Sequence, residues 1–134
     1  MSKIDKSVAQ AEFQRFLDEN DIDHDQSTFS PEETAEWERM RNSLVRHICD
    51  GSLVLDEKGI FTYTPKHSDD TTPIVFHRPK GSALIAMDRK KKGEDVGKMY
   101  ATMGEMCHVD PKRFALMDGH DTKVCMSIAT LFLA

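Results

Sequence analysis

No stretch of this chain approaches the ~18 consecutive apolar residues that cross a bilayer. The opening residues Met1-Ser2-Lys3-Ile4-Asp5-Lys6 also lack the apolar block of a secretory signal. A cytoplasmic protein with no membrane partner is therefore expected. Cationic excess is missing as well: 18 Lys and Arg stand against 23 Asp and Glu, a net charge of −5. That balance argues against general nucleic-acid binding, which needs a strongly basic surface. Only three cysteines occur, Cys49, Cys107 and Cys125, odd in number and widely spaced. They suit reduced thiols better than a disulfide framework. No Cys-x2-Cys pair marks a zinc site, so Cys107-His108 and His120 with Cys125 read first as ordinary residues. Gly-x-Ser-x-Gly and Gly-x-x-x-x-Gly-Lys-Ser are both absent, which leaves no nucleophile elbow and no phosphate loop. The expectation is a non-enzymatic protein without a cofactor.

What is present suffices for one small core. The chain has 134 residues, 39% of them apolar, which fits a single domain of modest stability. Eight methionines are many for this length. Their unbranched side chains fill irregular cores and also suit adaptable binding surfaces.

Residues 1–50 read as a helical pair. Val8, Ala9, Phe13, Phe16 and Leu17 form an apolar stripe over residues 4–19. Residues 20–29 form a polar, acidic loop. Ser30 then caps a second helix, with Pro31 at its first position and Glu33 completing a capping box. Trp37, Met40, Leu44, Val45 and Ile48 share one face of it, and Gly51 ends it.

Residues 51–134 form the second segment. Leu53-Val54-Leu55 and residues 60–64 read as a hairpin with Gly59 near the turn, and Ile74–His77 as a third strand. A mobile-looking connection, residues 65–72, joins them. Pro79 closes the strand region, and Ser82 is the expected cap of a short helix over residues 82–90. A helix over 94–107 follows, with Val96, Met99, Tyr100, Met103 and Met106 on one face and Gly97 and Gly104 permitting close backbone approach. Asp110-Pro111 opens a short helix. Asp118 to Asp121 turn around Gly119, with Asp121 the expected cap of a docked terminal helix. The fold class is thus α+β: a three-stranded antiparallel sheet packed by C-terminal helices and preceded by an N-terminal helix pair.

Two constellations carry functional readings. Asp21, Asp23, Asp25 and Glu32 occupy positions 1, 3, 5 and 12 of an EF-hand calcium loop. Against it, Gln26 stands where the sharp turn needs glycine, Thr28 replaces an apolar residue, and Pro31 sets a different helix register. A solvated acidic loop is the simpler reading. The second is a basic run, Arg89, Lys90, Lys91 and Lys92, with Arg78 and Lys80 upstream. Such a run is a solvated face or a docking site for an acidic segment.

The order of these elements resembles a known family over about residues 51–134. A hairpin leads into Ile74, Phe76, Arg78 and Pro79, then come Val109-Asp110-Pro111, Phe114, Leu116-Met117-Asp118 and Asp121, and an apolar tail to Phe132-Leu133. This string is similar to the tail assembly chaperones of contractile-tailed bacteriophages. The resemblance implies a non-enzymatic chaperone that holds the tape measure protein soluble until tail-tube subunits polymerise around it. Those two proteins are the partners it implies. Trp37, Met40, Leu44, Met99 and Met103 on the helix faces, with Arg78, Arg89, Lys90 and Lys91, are the expected contact residues. Gly97 and Gly104 also leave a homo-oligomer open. A calcium-stabilised binding module and a small regulatory adaptor are the alternatives.

Overall fold

The structure is a computed structural model that describes residues 4–88 and 95–133. It is an α+β fold of six helices and one three-stranded antiparallel sheet among the described residues. Helix α1 (Lys6–Glu19) buries Ala9, Phe13, Phe16 and Leu17, while Val8 at the edge of the predicted stripe stays exposed. Helix α2 (Pro31–Asp50) starts as its sequence dictates. The Glu33 N–H donates to Ser30 Oγ (3.2 Å) and the Ser30 N–H to Glu33 Oε1 (3.4 Å). It ends at Gly51, whose φ of 86° is readily reached without a Cβ.

The sheet follows in the order β1 (Leu53–Leu55), β2 (Phe61–Tyr63), β3 (Ile74–Phe76). Its register places Leu53 opposite Tyr63, Leu55 opposite Phe61, Phe61 opposite Phe76 and Tyr63 opposite Ile74. Side chains alternate along strands, so these residues share the face that packs on the core, and all but the half-buried Leu55 are buried. The β1–β2 turn is tied to α1. Asp56 Oδ1 accepts from the N–H of Lys58 and Ile60, and the Asn20 amide donates to the carbonyls of Phe16 (2.9 Å) and Gly59 (2.8 Å).

Helix α3 (Gly81–Asp88) and helix α4 (Asp95–Cys107) pack on one another, then α5 (Lys112–Leu116) and α6 (Gly119–Leu133) complete the chain. Two predicted caps change. Helix α3 begins at Gly81, so Ser82 lies in its first turn, where the following N–H of Ala83 already donates to the Lys80 carbonyl. Helix α6 begins at Gly119, not after a turn around it. Asp118 is its cap, with Oδ1 accepting from the His120 N–H at 2.9 Å, and Asp121 lies inside the helix.

The core is one cluster spanning both segments. Phe16 of α1 packs its ring 4.3 Å from Phe61 of β2 and 5.3 Å, edge-on, from Phe132 of α6. The cover of the sheet is therefore shared: α2 lies against β1 and α4 against β3. Residue 50 marks a change of structural type, and the packing continues across it.

Gly104 confirms the expected close approach. A Cβ there would stand 2.9 Å from both the Val109 carbonyl oxygen and Pro111 Cγ. Gly104→Ala would gain about 1 kcal/mol of helix propensity. The overlap costs more, since crowding a packed site costs about 1–3 kcal/mol and a backbone oxygen cannot rotate away. Urea unfolding should show a lower midpoint with an unchanged slope; a higher midpoint would contradict this contact.

Candidate functional site

The predicted contact residues separate into three groups. Leu44 and Met103 are fully buried, so both are corrected to core residues: the apolar faces of α2 and α4 turn inward against the sheet and α6. Trp37, Met40 and Met99 are half-buried against that core. Arg78 is exposed beside Lys80 at the end of β3. Arg89, Lys90 and Lys91 lie outside the described residues.

Among the described residues, α3 places two exposed apolar side chains next to each other, while Val54 and Leu116 are exposed elsewhere. This helix, Gly-Ser-Ala-Leu-Ile-Ala-Met-Asp, is apolar enough for a protein interior. Yet only Ala83 is buried among its characterised side chains, and Leu84 and Ile85 are 52% and 54% exposed. On α4, Val96 is 54% exposed, although it shares the apolar face that buries Met103. A helix apolar on all sides is ordinarily covered on all sides. Here one side is covered by α4, and Arg78 and Lys80 add cations where the chain enters α3.

The acidic loop does not bring its four carboxylates together. Asp23 Oδ1 accepts the Asp25 N–H (3.0 Å) and Asp25 Oδ1 the Ser27 N–H (2.9 Å), two local Asx turns. The Ser27 N–H and hydroxyl hold the Asp25 carboxyl below its usual range. Glu32 belongs to the first turn of α2, and Asp21 takes a left-handed φ of 55° as α1 ends. Among the described residues, no three His, Cys, Asp or Glu side chains stand together as a ready-made ligand set.

The cysteine pairs separate as well. Cys107 faces the core while His108 is exposed, and burial pushes the Cys107 thiol up to about 12. Cys125, its thiol likewise raised by burial, contacts Met117 at 4.0 Å and is buried, whereas His120 is exposed. Nucleophilic thiolates need the opposite environment.

The residue that sequence reasoning most undervalued is Asp121. It is fully buried and accepts four hydrogen bonds: from Tyr63 Oη (2.6 Å), the N–H of Lys66 (2.9 Å) and His67 (2.9 Å), and Ser68 Oγ (2.7 Å). Burial alone would raise its carboxyl pKa, but these donors outweigh it and hold the group far below the usual carboxylate range. Burial and the Asp121 carboxylate together push the Tyr63 hydroxyl well up. The connection predicted as mobile is thus anchored at residues 66–68, and Ser68 Oγ also accepts the Asp118 N–H. Nearby, Lys66 Nζ pairs with Asp50 at 2.7 Å. Arg113 donates to the Thr72 carbonyl and approaches Asp70 at 3.4 Å, beside a cleft of about 630 Å³ that Leu116 and Met117 also line. These groups tie the β2–β3 connection to α2, α5 and α6, which is a structural task.

The chain matches no protein family, no curated protein and no solved structure.

Proposed function

We propose that this chain is a non-enzymatic assembly chaperone for a phage or prophage tail, acting in the host cytoplasm. It binds apolar segments of the tape measure protein and keeps them soluble until tail-tube subunits polymerise around them. The observation that carries this reading is α3, a helix of interior composition whose Leu84 and Ile85 lack a covering element among the described residues. Both side chains are already about half covered, so completing their burial on a partner stabilises a complex by about 1 kcal/mol each. Exposed Arg78 and Lys80 at its entry, with the basic run that follows in the sequence, favour a partner segment flanked by acidic residues.

The resemblance of residues 51–134 to tail assembly chaperones supports the same reading. Among the described residues, no helix is long and apolar enough to cross a membrane, which is consistent with it. The test is co-expression with a tape measure protein. A soluble tape measure protein that co-purifies with the chain is expected. Equal insolubility with and without the chain overturns the proposal. A neighbouring tail-tube gene and a very long downstream reading frame separate this reading from a regulatory adaptor.

A further inference from the structure

We propose that the His47–His120 pair is a proton-controlled latch between α2 and α6, closed while the two rings share at most one added proton and open when they carry two. The latch is a hydrogen bond between distant parts of the chain. Nε2 of His47 and Nε2 of His120 stand 3.2 Å apart, although the residues are 73 positions apart in sequence. The bond forms where α2 and α6 pack together. His47 is buried and His120 is exposed, so water and its protons reach the pair from the His120 side.

The tautomer of His47 fixes the direction of the bond. Its Nδ1 lies 2.7 Å from the Ser43 carbonyl oxygen, and a carbonyl only accepts. The neutral ring therefore keeps its proton on Nδ1 and offers the lone pair of Nε2, which the His120 Nε2–H fills. One added proton leaves the bond intact, whichever ring carries it. An imidazolium N–H donates to a neutral ring nitrogen, and such charge-assisted bonds are the stronger kind. A second proton puts an N–H on both facing nitrogens. Two donors, each on a cation, then face one another across 3.2 Å and no bond remains. The exposed His120 ring is the one free to turn into water.

The surrounding charges do not offset that second proton. Burial is the main cause that holds His47 below the ordinary imidazole range. The Ser43 carbonyl and Asp50 oppose it, while Lys66 and His120 add to it. Asp50, on the same helix, is engaged by Lys66 Nζ at 2.7 Å and Ser52 Oγ at 2.6 Å. From β2, Tyr63 presents its ring edge-on with centroids 6.0 Å apart, its hydroxyl bonded to Asp121. From the β2–β3 connection, the His67 ring lies 5.2 Å from that of His120 and adds a third titrating imidazole. At the start of α6, exposed Asp118 accepts the His120 backbone N–H. Because the folded pKa of His47 is depressed, the latch contributes fully above the unfolded value of about 6.5 and is lost as pH falls below it. The Asp121 contribution is lost only below about 3.9, so the two acid effects are separable.

The experiment uses the full, tag-free, reduced chain. NMR of the ring nitrogens should show the Nδ1–H tautomer of His47 at neutral pH and a titration midpoint below about 6.5. Amide hydrogen exchange in the last turn of α2, residues 46–50, corrected for intrinsic rates, reports the opening. Protection there should fall roughly tenfold between about pH 7.5 and about pH 5. His120→Gln, at an exposed position, keeps a side-chain N–H for the His47 lone pair and cannot become a second cation. It should fold normally and lose no more than about threefold in protection over the same interval. A His47 midpoint at or above about 6.5, protection that does not change with pH, or a full native-sized loss in His120→Gln each overturn the latch.

Discussion

Asp121→Ala is expected to lower the melting temperature by about 10 °C. The substitution removes the acceptor for four donors at once: the Tyr63 hydroxyl, the N–H groups of Lys66 and His67, and the Ser68 hydroxyl. Leaving a buried donor without a partner costs about 1–3 kcal/mol. Ser68 and the backbone of residues 66–67 are nearer the surface and recover part of their bonding from water, so a total of about 3 kcal/mol is expected. For a domain of this size that corresponds to about 10 °C. Tyr63→Phe removes one donor with its share of the network and should cost about 1 kcal/mol.

The pH dependence carries the same signature with a fixed sign. The folded Asp121 carboxyl titrates well below its unfolded value, because its donors outweigh the cost of burial. Its stabilising contribution is therefore complete above the unfolded pKa of about 3.9 and is lost progressively as pH falls below it towards the folded value. Thermal melts of the native chain should show this acid loss, and Asp121→Ala should lack that component. A drop under 2 °C at neutral pH, with an unchanged acid profile, would contradict the anchoring role.

Phe16→Ala should cost about 3–5 kcal/mol, the range for a deeply buried aromatic. The ring is fully buried and touches β2 through Phe61 and α6 through Phe132. Its loss opens a cavity where three distant parts of the chain meet. Equilibrium denaturation should show one transition with a strongly reduced midpoint. A cost below about 1 kcal/mol, or a separate early transition for α1 and α2, would mean that the helix pair packs independently of the sheet.

Local chemistry made much of this architecture legible. The capping box at Ser30 and Glu33, the glycine stop at Gly51 and the hairpin around Gly59 are each determined by residues a few positions apart. The β-favouring runs Leu53-Val54-Leu55, 60–64 and Ile74–His77 marked the three strands. The misplaced features all depend on distant partners. Asp121 looks like a helix cap because its donors lie more than 50 residues earlier, in a loop whose Ser, Asp and Pro content reads as mobile. Leu44 and Met103 sit on apolar helix faces, and periodicity cannot say whether such a face meets the core or a partner. Helix α3 carries the converse ambiguity. Its apolar composition suits burial, and only the packing against α4 shows that Ala83 is covered while Leu84 and Ile85 are not.

The central claim is that the uncovered face of α3 holds the tape measure protein. It is tested most directly by co-expressing that protein with the native chain and with Leu84→Gln/Ile85→Gln. Glutamine is a good helix former and both positions are exposed, so the double variant should keep its circular dichroism spectrum and melt within about 3 °C of the native chain. The native chain should hold the tape measure protein in the supernatant, and the folded double variant should leave most of it in the pellet. Equal protection by the two chains, or no protection by either, would contradict the account.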